Sequence, residues 1–339
     1  MKKQTSDITE ADIQKAIKYL ETNKGKEEAT RENAIKLLQG MQITAHMIAH
    51  DKVDGNSNDL LKVKLNINDE FSPLKSVVVT EGTNIPYYDD YKTDDPEFIK
   101  FHPFSWDRDL LVEQQKRFLD KLSSYGVELI IPAQPSNVIW QMYTRDAGFV
   151  VGDKLFFSRK RKLQARNGEV EILFETLNLD SNQLVEIEGD IEGGDVLVQS
   201  KGSMFVGKTS RTSDSSILQL QKYADVKTLD LGSNVMHLDT RMTLLPKKIL
   251  LITRSAFKPE DVTEFEKEYK LIDVTEEEAT KLGTNVFIVN PETIFVPLQH
   301  SRIGDLLKEK GFNIEFIDYT ESINLGGSFR CTTMPIERE

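Results

Sequence analysis

Cys331 is the one cysteine of the chain, so no internal disulfide can form, and the thiol is either a buried hydrophobe or a reagent. Spacing argues for the reagent. Asp146 in YTRD, Glu192 in IEGGD, His237 in HLD, Asn285 in GTN and Cys331 in GGSFRC follow one another at separations of 46, 45, 48 and 46 residues. A near-constant period puts each short polar segment at the same point of a repeating unit. Units stacked around an axis would bring all five segments to one end of the molecule. Gathered there are one thiol, one imidazole and the carboxylates Asp146, Glu192, Asp195 and Asp239. Crowded carboxylates repel one another and lose solvation, so they call for a cation. No second cysteine or histidine joins them, so neither a metal nor another cofactor is expected. A guanidinium is the better match, because its planar N–H groups pair with carboxylates two at a time. Its electron-poor central carbon is then a target for the Cys331 thiolate, with Arg330 and His237 as neighbouring cations. His237 would protonate the leaving amine and afterwards activate water or an amine acceptor.

The elements that must hold these residues are legible as a repeat of pattern, not of identity. Each unit has strand-like runs, a helix-compatible stretch and a closing strand. SVVVTEG leads through DLLVEQQKRFLDKLSSYG to VELIIP, and FVVGDKLFF leads to QLVEIEG. DVLVQSKGSMFVG leads through SSILQLQKY to DVKTLDL, and TLLPKKILLIT through PEDVTEFEKEY to KLIDV. NVFIVNPETIFVP leads through SRIGDLLKEKGF to NIEFIDY. Ahead of the repeats, residues 8–51 read as helix, with Ile13, Ala16, Ile17 and Leu20 on one face. The turn-rich DKVDGNSND at 51–59 makes a boundary. The expected organisation is an N-terminal helical extension over 1–60 and a catalytic domain over 61–339.

Two other motifs are set aside. GSMFVGKT at 202–209 fits the phosphate-loop spacing, but its interior Ser-Met-Phe-Val reads as a strand, where a phosphate loop needs small residues and exposed amides. His46 and His50 lie four apart without a clear third ligand. The formal net charge of −12 argues against a nucleic-acid surface and favours a small cationic ligand. No run approaches the roughly 18 apolar residues of a membrane helix. The start MKKQTSDITEAD lacks the apolar stretch of a signal peptide, so with a lone thiol the expected setting is the cytoplasm. A homo-oligomer is compatible with all of this.

YTRDAG, IEGGD, HLDT and GGSFRCTTMP, in this order, resemble the guanidino-group-modifying enzymes of the pentein fold: arginine deiminases, dimethylarginine dimethylaminohydrolases and glycine amidinotransferases. The resemblance covers roughly residues 70–339. It implies an α/β, five-bladed pentein propeller with pseudo-fivefold repeat and a covalent thiouronium-type intermediate. It makes Cys331 the nucleophile, His237 the general acid and base, Glu192 its carboxylate partner, and Asp146 and Asp239 the grip on the guanidinium. Arg166 and Arg211 fall where arginine deiminases hold a substrate α-carboxylate, and Asp195 holds the Gly193-Gly194 turn. Gly326 stands where deiminases carry an arginine, and Arg330 where amidinotransferases carry a histidine. RCTTMP is more deiminase-like, which favours a hydrolase of an arginine-type guanidinium over an amidinotransferase. A non-catalytic pentein binding protein would have no use for the cysteine, histidine and carboxylate set.

Overall fold

The computed structural model describes residues 63–85, 106–135, 138–160, 166, 168–232 and 234–339. The chain divides into two units, Met1–Leu61 and Lys62–Glu339. The helical extension expected over 1–60, with its His46 and His50, lies outside the described residues.

In the second unit β1 (Leu74–Val78) is followed by α1 (Arg108–Ser124) and by β2 (Glu128–Ile130), which pairs parallel to β1. After α2 (Thr144–Ala147) the next sheet forms from the hairpin β3 (Phe149–Val151) and β4 (Lys154–Phe157), then α3 (Glu169–Leu177) and the parallel strand β5 (Leu184–Glu186). The pattern recurs in β6 (Val196–Ser200), β7 (Ser203–Lys208), α4 (Asp214–Leu220) and β8 (Asp225–Asp230). It recurs again in β9 (Met242–Leu245), β10 (Ile249–Ile252), α5 (Pro259–Glu268) and β11 (Lys270–Asp273). Beyond α6 (Glu276–Thr280) come β12 (Phe287–Asn290), β13 (Thr293–Pro297), α7 (Ser301–Glu309) and β14 (Asn313–Ile317). The chain ends with α8 (Thr320–Asn324) and β15 (Met334–Arg338).

Among the described residues five three-stranded sheets result, each an antiparallel pair with a third strand parallel to its middle member. The first has its antiparallel partner at the other end of the chain: β15 pairs with β1, Val78 opposite Met334 and Leu74 opposite Arg338. The middle strands are mostly buried, and Ile249–Ile252 is apolar and buried at all four residues, as a strand covered on both faces requires. GSMFVGKT is a turn at Gly202 (φ +76°) followed by β7, so its backbone amides are committed to the sheet and cradle no phosphate.

Helix α1 shows how sequence fixes placement. Asp107 caps it by accepting from Leu110 N at 3.0 Å. Leu111, Gln115, Phe118 and Leu122 form its buried stripe. Phe118 stacks on Phe329 at 4.8 Å between ring centroids, and Tyr319 packs on Phe329 at 4.5 Å. Tyr319 also shares a 2.9 Å hydrogen bond with Thr332. The loop that carries Cys331 is therefore clamped from both flanks by a buried aromatic cluster. Among the described residues no helix is long and apolar enough to cross a membrane.

Candidate active site

The five periodic segments do converge, and backbone bonds lace them together. Arg145 N donates to Cys331 O at 3.2 Å. Leu238 N donates to Asp195 Oδ1 at 2.9 Å. Asn285 donates to Asp239 O at 3.3 Å and accepts from Arg330 N at 2.9 Å. The segments of Asp146, Glu192 and His237 form short helical turns at Thr144–Ala147, Gly193–Asp195 and Leu238–Thr240, next to strands that hold their backbone rigid.

His237 Nε2 lies 2.8 Å from Glu192 Oε2, and its Nδ1 lies 3.9 Å from Asp146 Oδ1. Gly194 makes room for the ring: a Cβ there would meet His237 Cγ and Nδ1 at 2.6 Å. Burial by itself would lower the imidazolium, but the charge of Asp146, the Glu192 hydrogen bond and Asp195 outweigh it and push His237 up to about 10. Burial would raise Glu192, yet His237, Arg211 and Arg166 hold it well below the usual carboxylate range. The two are an imidazolium–carboxylate pair at neutral pH.

Asp195 is fully buried, accepting from Thr209 and Thr212 hydroxyls at 2.7 Å each and from Leu238 N. Burial pushes it up to about 7 against the pull of His237 and those donors. Its contacts tie the Gly193–Asp195 turn to the backbone next to His237.

Arg166 donates to Asp146 Oδ2 at 2.7 Å, to both oxygens of Glu169 at 2.8 and 3.0 Å, and to Tyr143 O at 2.8 Å. Four of the five N–H bonds a guanidinium can offer are thus directed at the protein. Arg211 donates to Glu192 Oε1 at 3.3 Å. Both arginines brace carboxylates of the site, a coupling that spacing alone did not show.

Cys331 is 5% exposed. Burial, with the charges of Asp239 and Asp146, pushes its thiol well above the ordinary value, and Arg330 only partly offsets them. Asp239 is fully buried, and among the described residues neither of its carboxylate oxygens accepts a hydrogen bond. Burial raises it also, opposed by Arg330, His237 and Arg145. Potential ligand atoms of Asp146, Glu192 and His237 lie within 4.8 Å of one another. A divalent ion there would have to sit beside the guanidinium groups of Arg166 and Arg211 and displace the proton of His237, so the donor set suits an organic cation better. Glu70, which accepts from Arg330, and Arg145, whose Nε donates to Arg330 O at 3.3 Å, are buried and went unnoticed in the sequence.

Five small sheets around a buried thiol, imidazolium and carboxylates define a pentein propeller of the guanidino-group-modifying superfamily. Residues 106–338 match the sequence pattern of "N,N dimethylarginine dimethylhydrolase, eukaryotic", and the chain belongs to that family. An uncharacterized protein of Bacillus subtilis (strain 168), YkgA, is 32% identical over 232 residues, 67% of this chain and 80% of that one. The fold is shared with the dimethylarginine dimethylaminohydrolase of Pseudomonas aeruginosa solved with citrulline (TM-score 0.65, 20% identity, 78% of this chain and 99% of that one). It is shared also with the N-terminal domain of ArgZ, a cyanobacterial arginine dihydrolase (TM-score 0.67, 22% identity, 78% and 97%).

Proposed function

We propose that the chain hydrolyses the guanidinium of arginine or an arginine derivative through a covalent intermediate on Cys331, giving a ureido product and ammonia or an amine. The observation that carries this reading is the His237–Glu192 pair at 2.8 Å, set among buried carboxylates of which Asp146 and Asp239 also act on the lone thiol of Cys331. Asp146 and Asp239 would grip the guanidinium. Its positive charge answers the repulsion that holds the thiol protonated, so the thiol gives up its proton to solvent and thiolate forms once substrate is seated. The sulfur bonds to the central carbon. The C–N bond to the leaving amine then breaks as His237 delivers the amine a proton, leaving a thiouronium on Cys331. His237, now neutral, takes one proton from water as the water oxygen adds to the same carbon; the C–S bond then breaks to release the thiolate, and the remaining hydroxyl proton passes to solvent to leave the neutral urea.

The test is a panel of arginine, methylated arginines, agmatine and other guanidines, scored for ureido product and released amine. Cys331→Ser should abolish turnover with the fold intact, and His237→Ala should trap an adduct visible by intact-protein mass spectrometry. Arginine should surpass agmatine by about 100-fold in kcat/KM if an α-carboxylate is bound by Arg166 and Arg211. Arg211→Ala should narrow that gap mainly by harming arginine, with a smaller loss shared by both substrates because Glu192 loses its contact with Arg211. Arg166→Ala should harm both, because Asp146 loses its brace. Turnover surviving in Cys331→Ser would refute the covalent route.

A further inference from the structure

Glu70 precedes β1, outside the five repeats and outside residues 106–338 that match the family. Asp69 turns the chain there, its Oδ1 accepting from Phe71 N at 2.9 Å and Ser72 N at 2.6 Å, and Glu70 is buried at 5% exposure. Its carboxylate accepts from Val198 N at 2.9 Å, from Arg330 Nη2 at 3.3 Å and from Arg330 Nη1. Arg330 Nη2 also donates to Val196 O at 2.8 Å. Burial would raise Glu70, but Arg330 and Arg145 outweigh it and keep it ionised. On the other side of the same guanidinium, Nε lies 3.3 Å from Asp239 Oδ2 without the alignment of a hydrogen bond. A buried carboxylate lacking a hydrogen bond is costly, and Arg330 is the cation in contact with it.

We propose that Glu70 is a positioning residue: by anchoring both Nη groups of Arg330 it keeps this guanidinium from turning onto Asp239, so that Asp239 stays open to the substrate's guanidinium. The inference rests on the reading of Asp239 as a substrate grip. Charged groups facing Asp239 are Arg330, His237, Arg145 and Asp146. Those facing Cys331 are Asp239, Asp146 and Arg330, with the phenols Tyr143 and Tyr319 beside it. With Glu70 neutral, Arg330 pairs fully with Asp239, which weakens substrate binding and removes a negative charge felt by the thiol.

The experiment uses the full chain as Glu70→Gln and as Glu70→Gln/Arg330→Met, each checked by thermal melting. Two readouts are taken: steady-state kinetics on the best guanidine of the panel, and the rate of Cys331 alkylation by iodoacetamide without substrate across pH. Glu70→Gln should raise KM at least about tenfold while kcat changes by less than about threefold. Its alkylation profile should move to lower pH. The double variant, which removes the competing guanidinium along with its anchor, should recover most of the lost affinity; replacing both members of a buried pair also spares the fold the cost of a stranded charge. A merely structural Glu70 would leave the alkylation profile in place and make the double variant no better than the single one, and either result overturns the proposal. Should the wild type turn over no guanidine, the function proposed above fails, and alkylation alone decides the role of Glu70: a profile moved to lower pH supports it and an unmoved one refutes it.

Discussion

At the scale of single residues the site is a set of charges that are stable only together. His237 sits at about 10 against an ordinary 6.5, and Glu192 is held below its ordinary 4.5. A histidine with a raised folded value stabilises the fold in full below about pH 6.5 and loses that contribution as pH rises through about 10. A carboxylate with a lowered value contributes above about pH 4.5 and loses it as pH falls through the folded value. The pair's contribution is therefore complete between about pH 4.5 and 6.5 and fades on both sides. Glu192→Gln should cost about 3 kcal/mol or more inside that window. The difference in melting temperature from wild type should shrink steadily toward pH 10; a difference that ignores pH would make Glu192 a packing residue. A common period marks Asp146, Glu192, His237 and Cys331 in the sequence, and Asp239 is read with them because it lies two residues after His237 in the same short segment. It did not carry Glu70, which precedes the repeats and meets Arg330 across 260 positions, nor the bond from Arg166 to Asp146, since spacing says nothing about which acid a long side chain reaches.

At the scale of elements, the short helical turns after the third strands decide where chemistry can occur. The turn Gly193–Asp195 lies against the His237 ring, and its two glycines read in the sequence only as turn formers. The reason is steric: close approach depends on a neighbour 43 positions on, which no local pattern records. Gly194→Ala would put a methyl carbon 2.6 Å from His237 Cγ and Nδ1. The ring must move, and a catalytic base displaced by about 1 Å loses on the order of 100-fold in rate. Overpacking of this kind costs about 1–3 kcal/mol, so the protein should remain folded with kcat down about 100-fold. Wild-type kcat in a folded Gly194→Ala would show that the turn does not hold the ring. GSMFVGKT makes the opposite point: its apolar interior identified a strand inside a phosphate-loop spacing, and β7 is that strand.

At the scale of the whole molecule, five sheets make a ring only because one of them is assembled from both ends of the described chain. The repeat in the sequence showed the crossover from β1 through α1 to β2 but not the partner that completes that sheet. MPIER is short, holds a proline and two charges, and has no strand signature strong enough to stand alone. Tertiary pairing makes it β15: Met334 and Ile336 are fully buried, and Arg338, 3% exposed, donates to Ser72 O at 2.6 Å and to Ile288 O at 2.8 Å. Each apolar side chain withdrawn from the core costs about 1.5–3 kcal/mol, and the opened sheet loses a ladder and a buried guanidinium besides. Against a total stability of about 5–15 kcal/mol, ending the chain at Thr333 should leave no cooperative melting transition. Removing Glu339 alone, whose side chain is half exposed and pairs with Lys64, should cost only about 1 kcal/mol or less. The position of β15 makes the loss of its strand a loss of the active site too, because Cys331 stands three residues before Met334 and depends on that strand to fix one end of its loop. A chain ending at Thr333 that still melted cooperatively near the wild-type temperature would mean that the four continuous sheets hold the ring without their closure.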